Sequence, residues 1–265
     1  MLVRILRILS KPHQIPRKMY KRLQNLWIDM NYDYEKYEVE QVAFFKELDL
    51  DYLESKKILE NIYSKNSDLV VEMTSCHHNL FAALSKRFQF KKILEIGTHS
   101  GAGAVLLSTL FPEARIVTID LPDDHPIFEA TYGRERKSER GFFLKKRNEL
   151  LSSQSNIEFR QLDSTCLTFC NDKSYDFIWV DGDHVYPLVA IDIANSIRLL
   201  NEGGMIACDD VRLEQSATYD TIRKFTDAGL AVLHLIHKRT IKPPAHLVGK
   251  YVAIVRPTVR HAPAS

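Results

Sequence analysis

The sequence predicts an α/β domain. It is a doubly wound, mostly parallel sheet of seven strands whose last strand runs antiparallel, preceded by a helical N-terminal extension. Three observations carry this. From residue 91 onward, short apolar runs alternate with segments of helical period, as in a sheet covered on both faces. The stretch ILEIGTHSGAG (93–103) passes from an apolar run through a glycine-bearing turn into a helical pattern. The final two strands are separated only by HKRTIKPPAHLVGK (237–250), too short for a crossover helix, so they must be antiparallel neighbours.

The expected strands are Lys92–Ile96, Ala114–Ile119, Ile157–Gln161, Asp176–Val180, Met205–Cys208, Leu230–Ile236 and Tyr251–Val255. Helices are expected near 101–110, 136–152, 186–200 and 214–228, with a further one over 69–88 before the first strand. Upstream, residues 17–65 read as helical, and DYLESKKILENIYSK (51–65) is the clearest amphipathic piece, with Leu53, Ile58, Leu59 and Ile62 apolar. Asn66, Ser67 and Asp68 form a turn or cap, which sets the expected division into an extension, 1–67, and a main domain, 68–265.

Composition narrows the class. The chain has 265 residues, 45% hydrophobic and 26% charged, and a net charge of +2, an ordinary soluble balance without the cationic excess of a nucleic-acid binder. The four cysteines, Cys76, Cys166, Cys170 and Cys208, form no CxxC pair and read as reduced thiols of a cytoplasmic protein. No apolar run approaches the roughly 20 residues of a membrane span. The first 30 residues nevertheless carry Arg4, Arg7, Lys11, Arg17, Lys18, Lys21 and Arg22 with no acid before Asp29. That pattern suits a helix lying on an anionic membrane surface, and equally one packed on its own domain or on another subunit of a homo-oligomer.

The turn at 97–103 stands where open α/β sheets bind ligands, beyond the carboxyl end of a strand. Its glycines let a backbone approach a ligand, and a helix N-terminus follows. The spacing is not GxGxxG, and Glu95 just before the turn disfavours a pyrophosphate. A carboxylate there fits a ligand bearing an amino group and a sulfonium. The second strand closes on Asp120, placed to accept hydrogen bonds from ribose hydroxyls. QLDS ends the third, setting Asp163 and Ser164 at an adenine edge. In this order the residues suggest S-adenosylmethionine.

YDFIWVDGDHVY (175–186) presents Asp181, Asp183 and His184 after a buried strand, and GGMIACDDV (203–211) presents Asp209 and Asp210. The two strands are expected as neighbours, so Asp181, Asp209 and Asp210 crowd together, which calls for a cation. An all-oxygen set favours Mg²⁺ or another hard divalent ion. Asp183 reads as a turn acid. His184 has the ordinary pKa of a base near neutrality, so it is the expected proton acceptor from a hydroxyl.

These motifs resemble class I S-adenosylmethionine-dependent methyltransferases, whose sheet is Rossmann-like. Within that class they are similar to the metal-dependent O-methyltransferases of the catechol, caffeoyl-CoA and macrolide-sugar types. The resemblance covers roughly residues 69–257 and rests on the acid-Ile-Gly-Thr turn at 95–98 and on DGDHVY followed by DD. It implies O-methylation, with Glu95, Gly97, Thr98, Gly101, Asp120, Asp163, Ser164 and Asp181 on the cofactor, Asp181, Asp209 and Asp210 on the metal, and His184 as base. The catechol type has asparagine where this chain has Asp210 and a lysine base where it has His184. The macrolide-sugar type shares the histidine, which moves the expected acceptor toward an aliphatic hydroxyl on a small molecule or glycan.

Two basic segments are expected to overhang the site: YGRERKSER, with Arg134, Arg136, Lys137 and Arg140, and KRTIKPPAHL, with Arg239, Lys242 and His246. The alternatives to the leading reading are the same fold acting without metal, another reaction such as hydroxylation, and a cofactor-binding protein without turnover.

Overall fold

The computed structural model describes residues 33–66, 69, 76–131, 136–170, 173–214, 216–241 and 248–258. Three helices come first: α1 (Tyr34–Glu47), α2 (Tyr52–Lys65) and α3 (Cys76–Arg87). Aspartates start the first two: Asp33 accepts from the Lys36 backbone N–H, and Asp51 from that of Glu54, each giving an otherwise orphaned helix-end donor its acceptor.

The alternating part follows: β1 (Lys92–Ile96), α4 (Ala102–Leu110), β2 (Arg115–Asp120), α5 (Pro126–Ala130), α6 (Lys137–Ser152), β3 (Ile157–Gln161), a 3₁₀ turn (Ser164–Phe169), β4 (Tyr175–Val180), α7 (Leu188–Leu199), β5 (Leu200–Val211), α8 (Ala217–Asp227), β6 (Ala231–Ile241) and β7 (Val248–Pro257). The sheet order is β3-β2-β1-β4-β5-β7-β6. β1 to β5 pair in parallel, while β7 runs antiparallel to both β5 and β6.

Residues along β1 and β4 alternate between two cores, as period-2 side chains must. Ile93, Phe177 and Trp179 face the side of α3 and α4, and pack with Leu80, Phe81, Val105 and Leu107. Leu94, Ile96, Ile178 and Val180 face the other side, against Val189 and Ile193 of α7. Phe45, Tyr52, Leu59 and Ile62 of α1 and α2 belong to the first of these cores, so these two helices are packed into the main body. α1 is also bonded to β6: Tyr37 Oη donates to the Lys238 carbonyl at 3.0 Å, and Gln41 Nε2 to that of His237 at 2.5 Å.

Among the described residues the predicted elements form, with three main differences, while 17–32 and 70–75, also expected to be helical, lie outside those residues. β5 runs on to Val211, so Asp209 and Asp210 lie in the strand rather than after it. Much of 237–250 is strand and not loop, since β6 reaches Ile241 and β7 begins at Val248. Between β2 and α6 a short extra helix, α5, accounts for the long connection.

Candidate active site

Chain order reverses between β1 and β4, and ligands of doubly wound sheets bind beyond the carboxyl ends of the strands there. A cavity of about 500 Å³ opens at that place. Of the sequence-predicted residues, its walls include Gly97, Asp120, Asp163, Ser164, Asp181 and His184. Glu95, Thr98 and Gly101 are not on its walls but in the layer beneath.

The turn is stitched to its neighbours by backbone. Gly97 and Thr98 N–H groups both donate to the Ile119 carbonyl, at 2.9 and 3.2 Å. Gly97 has φ +102°, and a Cβ there would lie 2.2 Å from the Asp181 carbonyl oxygen. Only glycine lets β1 and β4 approach so closely at the cavity floor.

Glu95 is buried on the α4 side of β1. Thr118 Oγ1 donates to its Oε2 at 2.6 Å, and because that hydroxyl proton is used, the Thr98 hydroxyl donates to Thr118 Oγ1, also at 2.6 Å. Oε1 lies where a Cβ on Gly103 would come within 2.3 Å. Burial, only partly opposed by the Thr118 bond, pushes the Glu95 carboxyl up to about 8. Glu95 therefore holds the turn from below.

Asp120 closes β2 on the cavity wall. Its Oδ2 accepts from the His99 backbone N–H at 2.8 Å and its Oδ1 from that of Leu121 at 2.9 Å. Each oxygen keeps a lone pair for a ligand hydroxyl. Asp163 caps the 3₁₀ turn, taking the Thr165 N–H at 2.9 Å and its hydroxyl at 2.7 Å on Oδ1. Ser164 bonds the buried Asp192 of α7, whose carboxyl burial raises to about 6. Asp192 gave no sequence signal beyond a polar residue on an apolar helix face. His99, His125 and Phe128 also line the cavity and were not anticipated.

At the far wall His184 Nε2 stands 3.6 Å from Asp181 Oδ1, and both side chains are about one-third exposed. Burial lowers the His184 pKa, so the imidazole is neutral at pH 7 and able to accept a proton. Asp181 is raised well above the usual carboxylate range, by desolvation and then by the neighbouring Asp209 charge.

The carboxylates predicted to hold a divalent ion are electrostatically coupled, as expected, but two of them already carry cations. Lys238 Nζ donates to both oxygens of Asp209, at 2.7 and 2.5 Å, with both side chains buried. Lys250 Nζ is bonded to Asp210. Burial works against the Asp210 anion, but the Lys250 bond and charge outweigh it and hold the carboxyl below its ordinary range. Among the described residues no group of three His, Cys, Asp or Glu side chains is arranged to hold a metal ion. The expected Mg²⁺ site on Asp181, Asp209 and Asp210 is not shown: as arranged these residues do not fit one, since Asp209 and Asp210 face ammonium groups against which a further cation would be pushed. Both lysines fall in the stretch 237–250 that the sequence offers as a connecting loop, which hides their places on β6 and β7.

The basic segments are largely paired or undescribed. Arg140 bonds Glu129 at 2.5 Å and Arg136 bonds Glu139 at 3.1 Å, while Arg134 lies outside the described residues. Lys242, His246 and the whole basic stretch 1–30 also lie outside them. Arg147, unanticipated, is buried. It forks onto Asp123 beside the site at 2.8 and 2.9 Å, with its guanidinium 4.5 Å over Phe159. Among the described residues no helix is long and apolar enough to cross a membrane.

Residues 94–211 match a family model described as a methyltransferase domain. The matched stretch runs from β1 to the end of β5, the part of the sheet that carries the cavity, so this part of the chain is similar to a methyltransferase domain. Solved structures resemble it at low identity. The O-methyltransferase TomG from Streptomyces achromogenes, involved in tomaymycin synthesis and solved with SAM, is 18% identical, with 91% of this chain and 99% of that one covered and a TM-score of 0.45. An O-methyltransferase from Bacillus cereus, in complex with SAH, is 18% identical, with 76% and 90% covered and a TM-score of 0.45. Among curated proteins none is a significant match.

Proposed function

We propose that the chain transfers the methyl group of S-adenosylmethionine to a hydroxyl oxygen of a small molecule or glycan, with His184 taking the hydroxyl proton. The carrying observation is that Asp120 and the neutral His184 line the same cavity at the switch point of the sheet. Asp120 would hold the ribose hydroxyls on its free lone pairs. Asp163 and Ser164 would face the adenine, and the Gly97 turn the methionine end of the cofactor. Glu95, Thr98 and Gly101 would act through the turn they support.

In the reaction the acceptor oxygen attacks the sulfonium methyl carbon in line. The new O–CH₃ bond forms as the S–CH₃ bond breaks, and S-adenosylhomocysteine leaves with the sulfur electron pair. The hydroxyl proton passes to His184 Nε2 and then to solvent. Holding acceptor and methyl donor in line supplies much of the acceleration. A metal was expected from the sequence, but no step is assigned to one, because Asp209 and Asp210 each already hold an ammonium group.

The test is calorimetric titration of the full chain with S-adenosylmethionine, using NAD as control, followed by transfer of labelled methyl to a panel of hydroxylated acceptors. Binding of S-adenosylmethionine alone, with label appearing as an ether, is the expected result. No binding would overturn the proposal, and label on nitrogen or carbon would overturn its choice of acceptor atom.

A further inference from the structure

Two irregularities meet at the far end of the site. The β5–β7 register shifts between Cys208 and Val211, and Asp210 takes φ +52°, a left-handed conformation that non-glycine residues rarely adopt. The β6–β7 register shifts between His237 and Arg239, bracketing Lys238. Bulges of this kind re-aim side chains out of the regular alternation. Here they accompany Lys238, whose side chain is 5% exposed, against Asp209, at 7%. Lys250 of β7 is likewise buried, against Asp210. Lys238 also acts electrostatically on Asp181, Cys76 and His78, so its charge is felt across this end of the site.

We propose that Lys238 and Lys250 fill the cation position of this site. Their two ammonium charges do for Asp181, Asp209 and Asp210 what one divalent ion would do, and the carboxylates bind no divalent ion while the lysines are in place. The charge matches, since two ammonium groups supply the same +2. Space matches as well, because an ammonium accepted by both oxygens of Asp209 occupies the position a chelated metal would take. The exchange also changes the acceptor. A hard metal ion keeps positions open for substrate oxygens, so it favours acceptors offering two of them side by side. Ammonium groups impose no such chelation, so a lone hydroxyl suffices. The inference depends on the methyl-transfer reading for that last consequence alone.

The test is Mn²⁺ binding to the full chain in the presence of S-adenosylhomocysteine, followed by the loss of free Mn²⁺ signal in electron paramagnetic resonance. The wild type is expected to show no stoichiometric site, and its thermal midpoint should not move with Mn²⁺. Lys238→Met should be less stable and regain its midpoint on adding Mn²⁺, with affinity at least about tenfold above wild type, as a buried carboxylate left without its partner demands. Should Lys238→Met fail to fold, the wild type against Asp209→Asn/Lys238→Met, which removes the pair together, still decides. Neither should bind Mn²⁺. One Mn²⁺ bound by the wild type and lost in Asp209→Asn/Lys238→Met would overturn the proposal, as would a folded Lys238→Met with no gain. S-adenosylhomocysteine binding in the same samples reports on the methyltransferase reading separately, so failure of one is distinguishable from failure of the other.

Discussion

Thr118 Oγ1 donates a 2.6 Å hydrogen bond to Glu95 Oε2, and Glu95 Oε1 sits where the Cβ of any residue larger than glycine at 103 would be, 2.3 Å away. One carboxyl thus ties β2 to β1 and fixes how closely α4 can approach. Replacing Gly103 with alanine forces that carboxyl aside. The expected cost is about 1–3 kcal/mol, an overpacking penalty, with weaker S-adenosylhomocysteine binding because the turn above shifts. Chemical denaturation and calorimetry of Gly103→Ala against wild type would show it.

The same carboxyl gives a pH dependence. Burial raises Glu95 from 4.5 to about 8, so the folded chain keeps a proton that the unfolded chain releases above about 4.5. The contribution to stability is full below that pH and is lost as pH rises through 8. Asp192, raised from 3.8 to about 6, acts in the same direction over a lower window. Above about pH 6.5, where the opposing contribution of the buried His78, lowered from 6.5 to about 4, is complete, unfolding free energy should therefore fall up to pH 8 by about 2 kcal/mol. Glu95→Gln, which still accepts from Thr118, should flatten the upper part of the slope. An unchanged slope in that variant would refute the assignment.

Asp120 serves two backbone donors now and two ribose hydroxyls in the proposed complex. Asp120→Ala should weaken S-adenosylhomocysteine binding about 10–100-fold, the loss expected for removing a charged acceptor from a ligand. Calorimetry reads this directly. Undiminished affinity would place the ribose elsewhere.

His184 stands on the cavity wall near Asp181 and is neutral at pH 7. His184→Gln should lower kcat/KM about 10²–10⁴-fold while S-adenosylhomocysteine affinity stays close to wild type. Loss of both together would make His184 a cofactor contact rather than the base.

Arg147 is wholly buried, and its partner Asp123 is about one-quarter exposed. Arg147→Met should destabilise the chain by about 2–4 kcal/mol, since Asp123 keeps only the 3.0 Å bond from Gln161. The denaturation midpoint tests this, and a change below about 0.5 kcal/mol would mean that Asp123 rehydrates freely.

Much of this fold was legible because its signals are local. Ile93, Leu94 and Ile96 are apolar as a strand buried on both faces requires. The brevity of 237–250 left no room for a crossover helix, which fixed the direction of the last strand. Asp120 and Asp163 could be placed because strand ends are marked by where apolar runs stop. Glu95 was legible as a strand-end acid but not in its orientation, since nothing local says whether such a side chain turns toward the cavity or into the layer beneath it.

The sequence by itself determined the alternation of strands and helices, the antiparallel close, the glycine turn, and the aspartates that crowd at the ends of β4 and β5. Only the tertiary structure decided what neutralises those aspartates. Lys238 is 29 residues from Asp209, and Lys250 is 40 from Asp210. Chain order carries no distance between them until β7 inserts between β5 and β6. A buried carboxylate calls for a positive partner, and whether that partner is a metal ion or a lysine depends on which cation the folded sheet brings within reach.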